Sequence, residues 1–190
     1  MELAYKLLSA EEFLDACPKD QRHYQLFDGV IVAMAPPADA HQIIAGNLLF
    51  EIGAAVRANL PKCSVRSQAG IAPQSLQGRD HFETDITVTC EPFSRQYRGI
   101  VQKPLLIVEI LSPSTDRDDV FIKLPSYQSI AGLEEILYVE TERIGATVYR
   151  RADNRWATVP VTTNARLQLS TIGLDIPIGD VYRGIPGLSP

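Results

Sequence analysis

Residues 104–115 read "PLLIVEILSPST". Leu105, Leu106, Ile107, Val108, Ile110 and Leu111 make the near-continuous apolar run expected of a strand buried on both faces. Glu109 interrupts that run. An ionised carboxylate taken out of water costs several kcal/mol unless a partner or a cation offsets it. A compensating group is therefore expected elsewhere in the chain, and the search for it decides how the surrounding elements are arranged.

The totals set the frame for that search. A chain of 190 residues fits one domain, 1–190, with a substantial core. Hydrophobic residues make up 45% and charged residues 22%, as in ordinary globular proteins. No apolar run approaches the roughly 20 residues of a membrane span. The opening "MELAYKLLSAEEFL" lacks the apolar stretch and cleavage site of a signal peptide. Cys17, Cys63 and Cys90 are odd in number and widely spaced, which predicts reduced thiols in a cytoplasmic protein and no zinc site. The net charge of −5 argues against strong nonspecific nucleic-acid binding by a monomer, although a local basic groove or a dimer could still supply one.

Outward from Glu109, the preceding strand is "ETDITVTC", residues 83–90, where Ile86, Val88 and Cys90 alternate with Glu83, Asp85, Thr87 and Thr89. Asp85 lies six residues before the loop that starts at Glu91, and Glu109 lies six residues after that loop ends at Lys103. An antiparallel hairpin would set the two carboxylates opposite each other, about 5 Å apart on one face. Such a pair repels unless one acid is protonated or a cation sits between them. Mg²⁺ or Mn²⁺ takes oxygen ligands of this kind.

The flanking segments supply a framework. Ser9 and Glu12 form a capping-box start for a short helix, and Asp28-Gly29 between two apolar runs signals a hairpin. Residues 39–60 recur at helical spacing through Ile44, Leu48, Ile52 and Ala55, with Asp39 as the expected N-cap. A second helix is expected from Ser114 or Thr115 to Gly132, kinked or broken at Pro125. Three further strands follow in "EEILYVET", "GATVYRR" and "RWATVPV". The tail offers only a few apolar anchors.

An aspartate at a strand start, followed by a glutamate on the next strand and flanked by helices, resembles the PD-(D/E)XK nuclease superfamily. "YQLFDGVIVAMAPPADAHQ", "ETDITV", "LLIVEILSPST" and "DRDDVFIKLPSYQSIAGLEEILYVE" together resemble a widespread bacterial family of predicted restriction endonucleases of unknown specificity. The resemblance covers roughly residues 10–150. It implies an α/β (α+β) restriction-endonuclease-like core over about 38–142, with a mixed sheet flanked by helices and an added N-terminal hairpin. It also implies a Mg²⁺- or Mn²⁺-dependent endonuclease acting on DNA, and a homodimer.

Within that resemblance Asp85 and Glu109 are the metal ligands and Lys123 completes the catalytic set. The superfamily lysine two residues after the glutamate is Leu111 here, and Lys123 on the following helix can stand in for it, sharing a face with Tyr127 at i, i+4. Thr84 replaces the usual proline before the aspartate, and Gln25 replaces a usual glutamate in the first hairpin strand. His41 and Glu51 are minor candidates on the long helix, as are Gln25 and Tyr127. Each has a plainer reading. Asp85 and Glu109 could be structural ion pairs, Tyr127 a core aromatic, Lys123 a solvated helix lysine and Glu51 a border charge. Arg150, Arg151 and Arg155 could meet phosphates or sit in a solvated turn. The alternative function is a nucleic-acid-binding or regulatory protein that keeps the fold and has lost turnover; a more distant one is a protein-interaction module with structural carboxylates.

Overall fold

The apolar run of residues 104–111 forms strand β5 (Pro104–Leu111) in the interior of a six-stranded sheet. The computed structural model describes residues 6–112, 118–153 and 155–188, with only the backbone of Gln96, Asp118 and Asp119. Before β5 come α1 (Ala10–Ala16), β1 (Tyr24–Phe27), β2 (Val30–Ala33), α2 (Asp39–Asn59), β3 (Ser64–Ile71) and β4 (Phe82–Thr89). After it come α3 (Asp118–Gln128), β6 (Glu135–Glu140), β7 (Gly145–Ala152), β8 (Arg155–Thr162), β9 (Arg166–Leu169) and β10 (Leu174–Pro177).

The sheet runs β3-β4-β5-β6-β7-β8. Only β5 and β6 are parallel, and α3 makes the crossover that a parallel pair requires. β8 is an edge strand and carries Pro160, which a central strand could not accommodate without losing a ladder bond.

Each face of the sheet has its own layer. α2 presents Ile44, Leu48, Ile52 and Val56 at four-residue spacing, and these pack with Ile86, Val88, Leu106, Val108 and Ile110. The C-terminal segment joins this layer through Leu167, Leu169, Leu174 and Tyr182. On the other face Tyr127, Ile130 and Leu133 pack with Ile107, Ile136 and Tyr138. Truncating a residue such as Leu48, which is fully buried, costs about 2–5 kcal/mol.

The expected mixed sheet, flanking helices and N-terminal hairpin are all present. Asp28 (φ 43°) and Gly29 (φ 82°) make the left-handed turn that joins β1 to β2. Ser9 and Glu12 close the reciprocal capping box of α1.

Several local expectations are corrected. The N-cap of α2 is Ala38 without a side-chain bond, and Asp39 lies instead in the first turn, where its charge suits the helix dipole. Pro125 stays inside α3 without splitting it; the carbonyl it cannot serve belongs to Phe121, an exposed residue. The expected start of that helix at Ser114 or Thr115 lies outside the described residues. Cys63 and Cys90, one step beyond the Ser64–Thr89 pair, are joined in a disulfide, and only Cys17 is a free thiol. The antiparallel register brings the two residues side by side, which their sequence spacing could not reveal.

Candidate active site

The site is built where β4 and β5 part. Their antiparallel ladder runs from Thr89–Pro104 to Ile86–Val108, so the next step places Asp85 beside Glu109. The two carboxylates are therefore neighbours, as the loop arithmetic predicts.

The clean alternation expected for β4 is broken at Asp85. Ile86 and Val88 face α2, and Thr87 belongs to the opposite face by strand parity. Phe82 also packs on that opposite face, although parity would set it with Ile86. Thr84 follows Phe82: the Thr84 and Thr87 hydroxyls are 2.7 Å apart, and Thr84 donates to Ala69 O. β3 makes the same exchange, with Val65 on the α2 side and Ala69 and Ile71 on the α3 side. Between them Gln68 adopts φ 50°, and neither Gln68 nor Asp85 takes part in the ladder that holds their neighbours. Both strands thus switch faces at one level, and that twist frees the Asp85 carboxylate from the regular sheet.

Asp85 meets groups from two elements. Its Oδ2 accepts from the Ile110 backbone N–H at 2.7 Å, which ties it to β5. Its Oδ1 lies 3.1 Å from His41 Nε2, in the first turn of α2. Burial pulls the His41 pKa down, but the hydrogen bond to Asp85 and the charges of Asp85 and Glu109 outweigh it and hold the imidazolium above its ordinary range.

Glu109 answers the question posed by its own strand. It is 7% exposed, and its Oε1 accepts from Tyr127 Oη at 2.5 Å and from Lys123 Nζ at 3.3 Å. Lys123 is itself buried at 3% exposure, so it is no solvated helix lysine. Lys123 and Tyr127 lie one turn apart on α3 and converge on one oxygen. Phe82 packs edge-on against Tyr127 and lies 6.0 Å from Lys123 Nζ, closing the apolar floor of the site.

The structure thus gathers Asp85, Glu109, Lys123, Tyr127 and His41. Glu51 is not brought to them. It stands ten residues beyond His41 on α2, roughly 15 Å along the axis at 1.5 Å per residue. Gln25 is buried on β1, and its Oε1 finds no hydrogen-bond partner among the described residues. Glu83, on the polar side of the sequence pattern, pairs with His23 at 2.8 Å.

Arg150 and Arg151 on β7 are structural, while Arg155 on β8 is exposed. Arg150 donates to the fully buried Glu135 at 2.7 Å. Arg151 donates to the carbonyls of Gln128, the last residue of α3, and of Ile130 and Leu133 beyond it, with its guanidinium over the Trp156 ring. The signal that marks the site partners is the Lys123–Tyr127 spacing. Nothing local in the sequence marks the Asp85–Ile110 bond or the face switch.

A hard divalent cation would find two carboxylates at adjacent positions here, the oxygen chemistry that Mg²⁺ and Mn²⁺ take. Among the described residues, His, Cys, Asp and Glu form no group of three or more that could hold a metal.

Comparison with known proteins places this geometry in context. The Uma2 family, described as "Putative restriction endonuclease", matches residues 10–179. An uncharacterized protein of Synechocystis sp. (strain ATCC 27184 / PCC 6803 / Kazusa) is 28% identical over 181 residues, covering 94% of this chain and 93% of that protein. The crystal structure of a putative nuclease belonging to DUF820 from Anabaena variabilis superposes with a TM-score of 0.75 at 18% identity, covering 92% of this chain and 97% of that one. At that identity the likeness is one of fold.

Proposed function

We propose, from the premise that the chain belongs to the Uma2 family of putative restriction endonucleases, that it hydrolyses phosphodiester bonds in DNA with a divalent cation held by Asp85 and Glu109. The observation that carries this reading is the pair of adjacent carboxylates at the parting of β4 and β5, each oriented by partners from a helix. Bound there, Mg²⁺ or Mn²⁺ would lower the pKa of a ligand water and offset charge on the phosphate.

The chain's own residues have separable tasks. Ile110 N–H and His41 fix the two oxygens of Asp85, so the carboxylate is oriented before anything binds. Tyr127 fixes Glu109 from α3. Lys123 balances the charge of Glu109 and is the cation available to a phosphate oxygen or to the attacking water. The apolar contacts of Phe82 keep these groups in a low-dielectric setting where their interactions are strengthened. No helix among the described residues is long and apolar enough to cross a membrane. A homodimer would let two such sites address two strands.

The test is cleavage of supercoiled plasmid in Mg²⁺ or Mn²⁺, compared with EDTA. Asp85→Asn and Glu109→Gln should each lower nicking by at least about a hundredfold while staying folded. Metal-independent nicking, or full activity in both variants, would overturn the assignment. A folded protein that binds DNA and the metal without cutting would instead support the regulatory alternative.

A further inference from the structure

The disulfide at the far end of the β3–β4 pair has two unequal sulfurs. Cys90, just past β4, is exposed, whereas Cys63, just before β3, is half-buried against the α2 layer. Structural disulfides resist reduction, while those reachable from solvent are the exchangeable ones. An incoming thiolate can reach the Cys90 sulfur, and Cys63 is then the sulfur that leaves.

The surroundings suit both roles. Cys63 lines an open cavity of about 390 Å³ together with Gly53, Val56, Arg57, Pro61 and Val65. Small-molecule sites occupy about 300–1,000 Å³, so the space admits a small ligand beside the sulfur. The wall at Gly53 is clear, with no heavy atom within 4 Å of the place a Cβ would take. Arg57, exposed in the last turn of α2, brings a positive charge to that cavity, and Lys62 precedes Cys63 in the chain. Cys90 is followed instead by an acid, Glu91. A cation beside a released sulfur stabilises its thiolate and makes it the better leaving group.

We propose that Cys63–Cys90 is a thiol–disulfide exchange site for low-molecular-weight thiols that carry a carboxylate. The thiolate of such a molecule attacks Sγ of Cys90; the protein S–S bond breaks, and its electron pair leaves on Cys63 as a thiolate beside Arg57. A second thiolate attacks the small molecule's sulfur in the mixed disulfide and releases Cys90 as a thiolate. Two small thiols are thereby oxidised to their disulfide, and the chain gains the two electrons. In reverse, the small disulfide attaches to Cys90, and the Cys63 thiolate displaces it to restore the bridge. Arg57 also meets the carboxylate, which favours anionic thiols over neutral ones. The site lies at the opposite end of β4 from Asp85 and works without a bound cation. Through it the surrounding thiol pool decides whether the β3–β4 end is clamped.

The experiment uses the full chain carrying Cys17→Ser, so that only the pair reacts. Reduced glutathione and 2-mercaptoethanol are compared at equal thiolate concentration under native conditions, with products located by mass spectrometry. The rate should rise in proportion to thiol, and glutathione should be the faster reductant. Arg57→Gln should slow glutathione by at least about fivefold and remove its advantage. Cys63→Ser, treated with oxidised glutathione, should hold one glutathione on Cys90; if that variant does not fold, the kinetics alone decide. A rate that saturates at the rate of global unfolding, or a mixed disulfide formed on Cys63, would overturn the site. Equal glutathione rates in the Arg57→Gln and Arg57 chains would overturn the role of the arginine.

Discussion

Glu109 is tolerated inside β5 because two donors one helical turn apart reach a single oxygen. Removing one partner of a buried pair leaves the other charge uncompensated, which costs more than the pair itself is worth. Lys123→Met should therefore lower stability by about 3–5 kcal/mol at neutral pH in urea unfolding. Adding Glu109→Gln should recover most of that loss. A double variant no more stable than Lys123→Met alone would mean that the charge of Glu109 is not what Lys123 compensates. A second buried residue gives a pH signature. Burial holds the His81 imidazole down at about 4, against an ordinary value of 6.5. The unfolded chain binds the proton first, so the contribution of neutral His81 is complete above pH 6.5. It is lost as pH falls through the window from 6.5 to 4. The loss reaches about 3 kcal/mol at the bottom of the window. His81→Phe should flatten that part of the stability–pH curve, and an unchanged slope would contradict the assignment. The histidine fits only because residue 70 is glycine: a Cβ there would come within 2.6 Å of Nε2.

Among the elements, β3 and β4 carry the geometry that matters, because their shared change of face at Gln68 and Asp85 releases the carboxylate from the ladder. The lower end of the same pair is locked by Cys63–Cys90, residues separated by 27 positions. Cross-linking a loop of that length stabilises by about 3.5 kcal/mol in the chain-entropy picture. Reduction, or the double substitution Cys63→Ser with Cys90→Ser, should lower stability by about that amount. The site, at the other end of β4, should keep its metal affinity. A reduced protein that loses Mn²⁺ binding while still folded would show that the two ends of the strand pair are coupled. α3 is the other decisive element, since it brings Lys123 and Tyr127 together and makes the parallel β5–β6 crossover.

For the molecule as a whole, the layered fold could be read from periodicity: the helical recurrence of Ile44, Leu48 and Ile52, which the structure continues at buried Val56 with the expected Ala55 only half-buried beside it, the alternation of β4 from Ile86 onward, and the turn at Asp28-Gly29 are local signals for local structure. The Asp85–Glu109 neighbourhood was readable as well, because hairpin register follows from loop arithmetic. Other features depend on contacts distant in sequence. The disulfide, the switch of faces at Asp85 and the displacement of Glu51 from the site follow from register and axial rise within the assembled sheet and helices. The C-terminal hairpin β9–β10 is not legible in the sequence, although Leu167 and Leu169 alternate and Gly173 (φ 68°) supplies a left-handed position between the strands. Short strands with one apolar pair each give little periodic signal before they pack on α2. The measurement to make first is Mn²⁺ binding by calorimetry to wild type, Asp85→Ala and Glu109→Ala, with the fold of each checked by circular dichroism. Binding of one or two ions by wild type, abolished in both folded variants, is the expected result. No binding at millimolar Mn²⁺, or equal binding by the variants, would mean that Lys123, Tyr127 and His41 are the carboxylates' final partners and that the pair is structural.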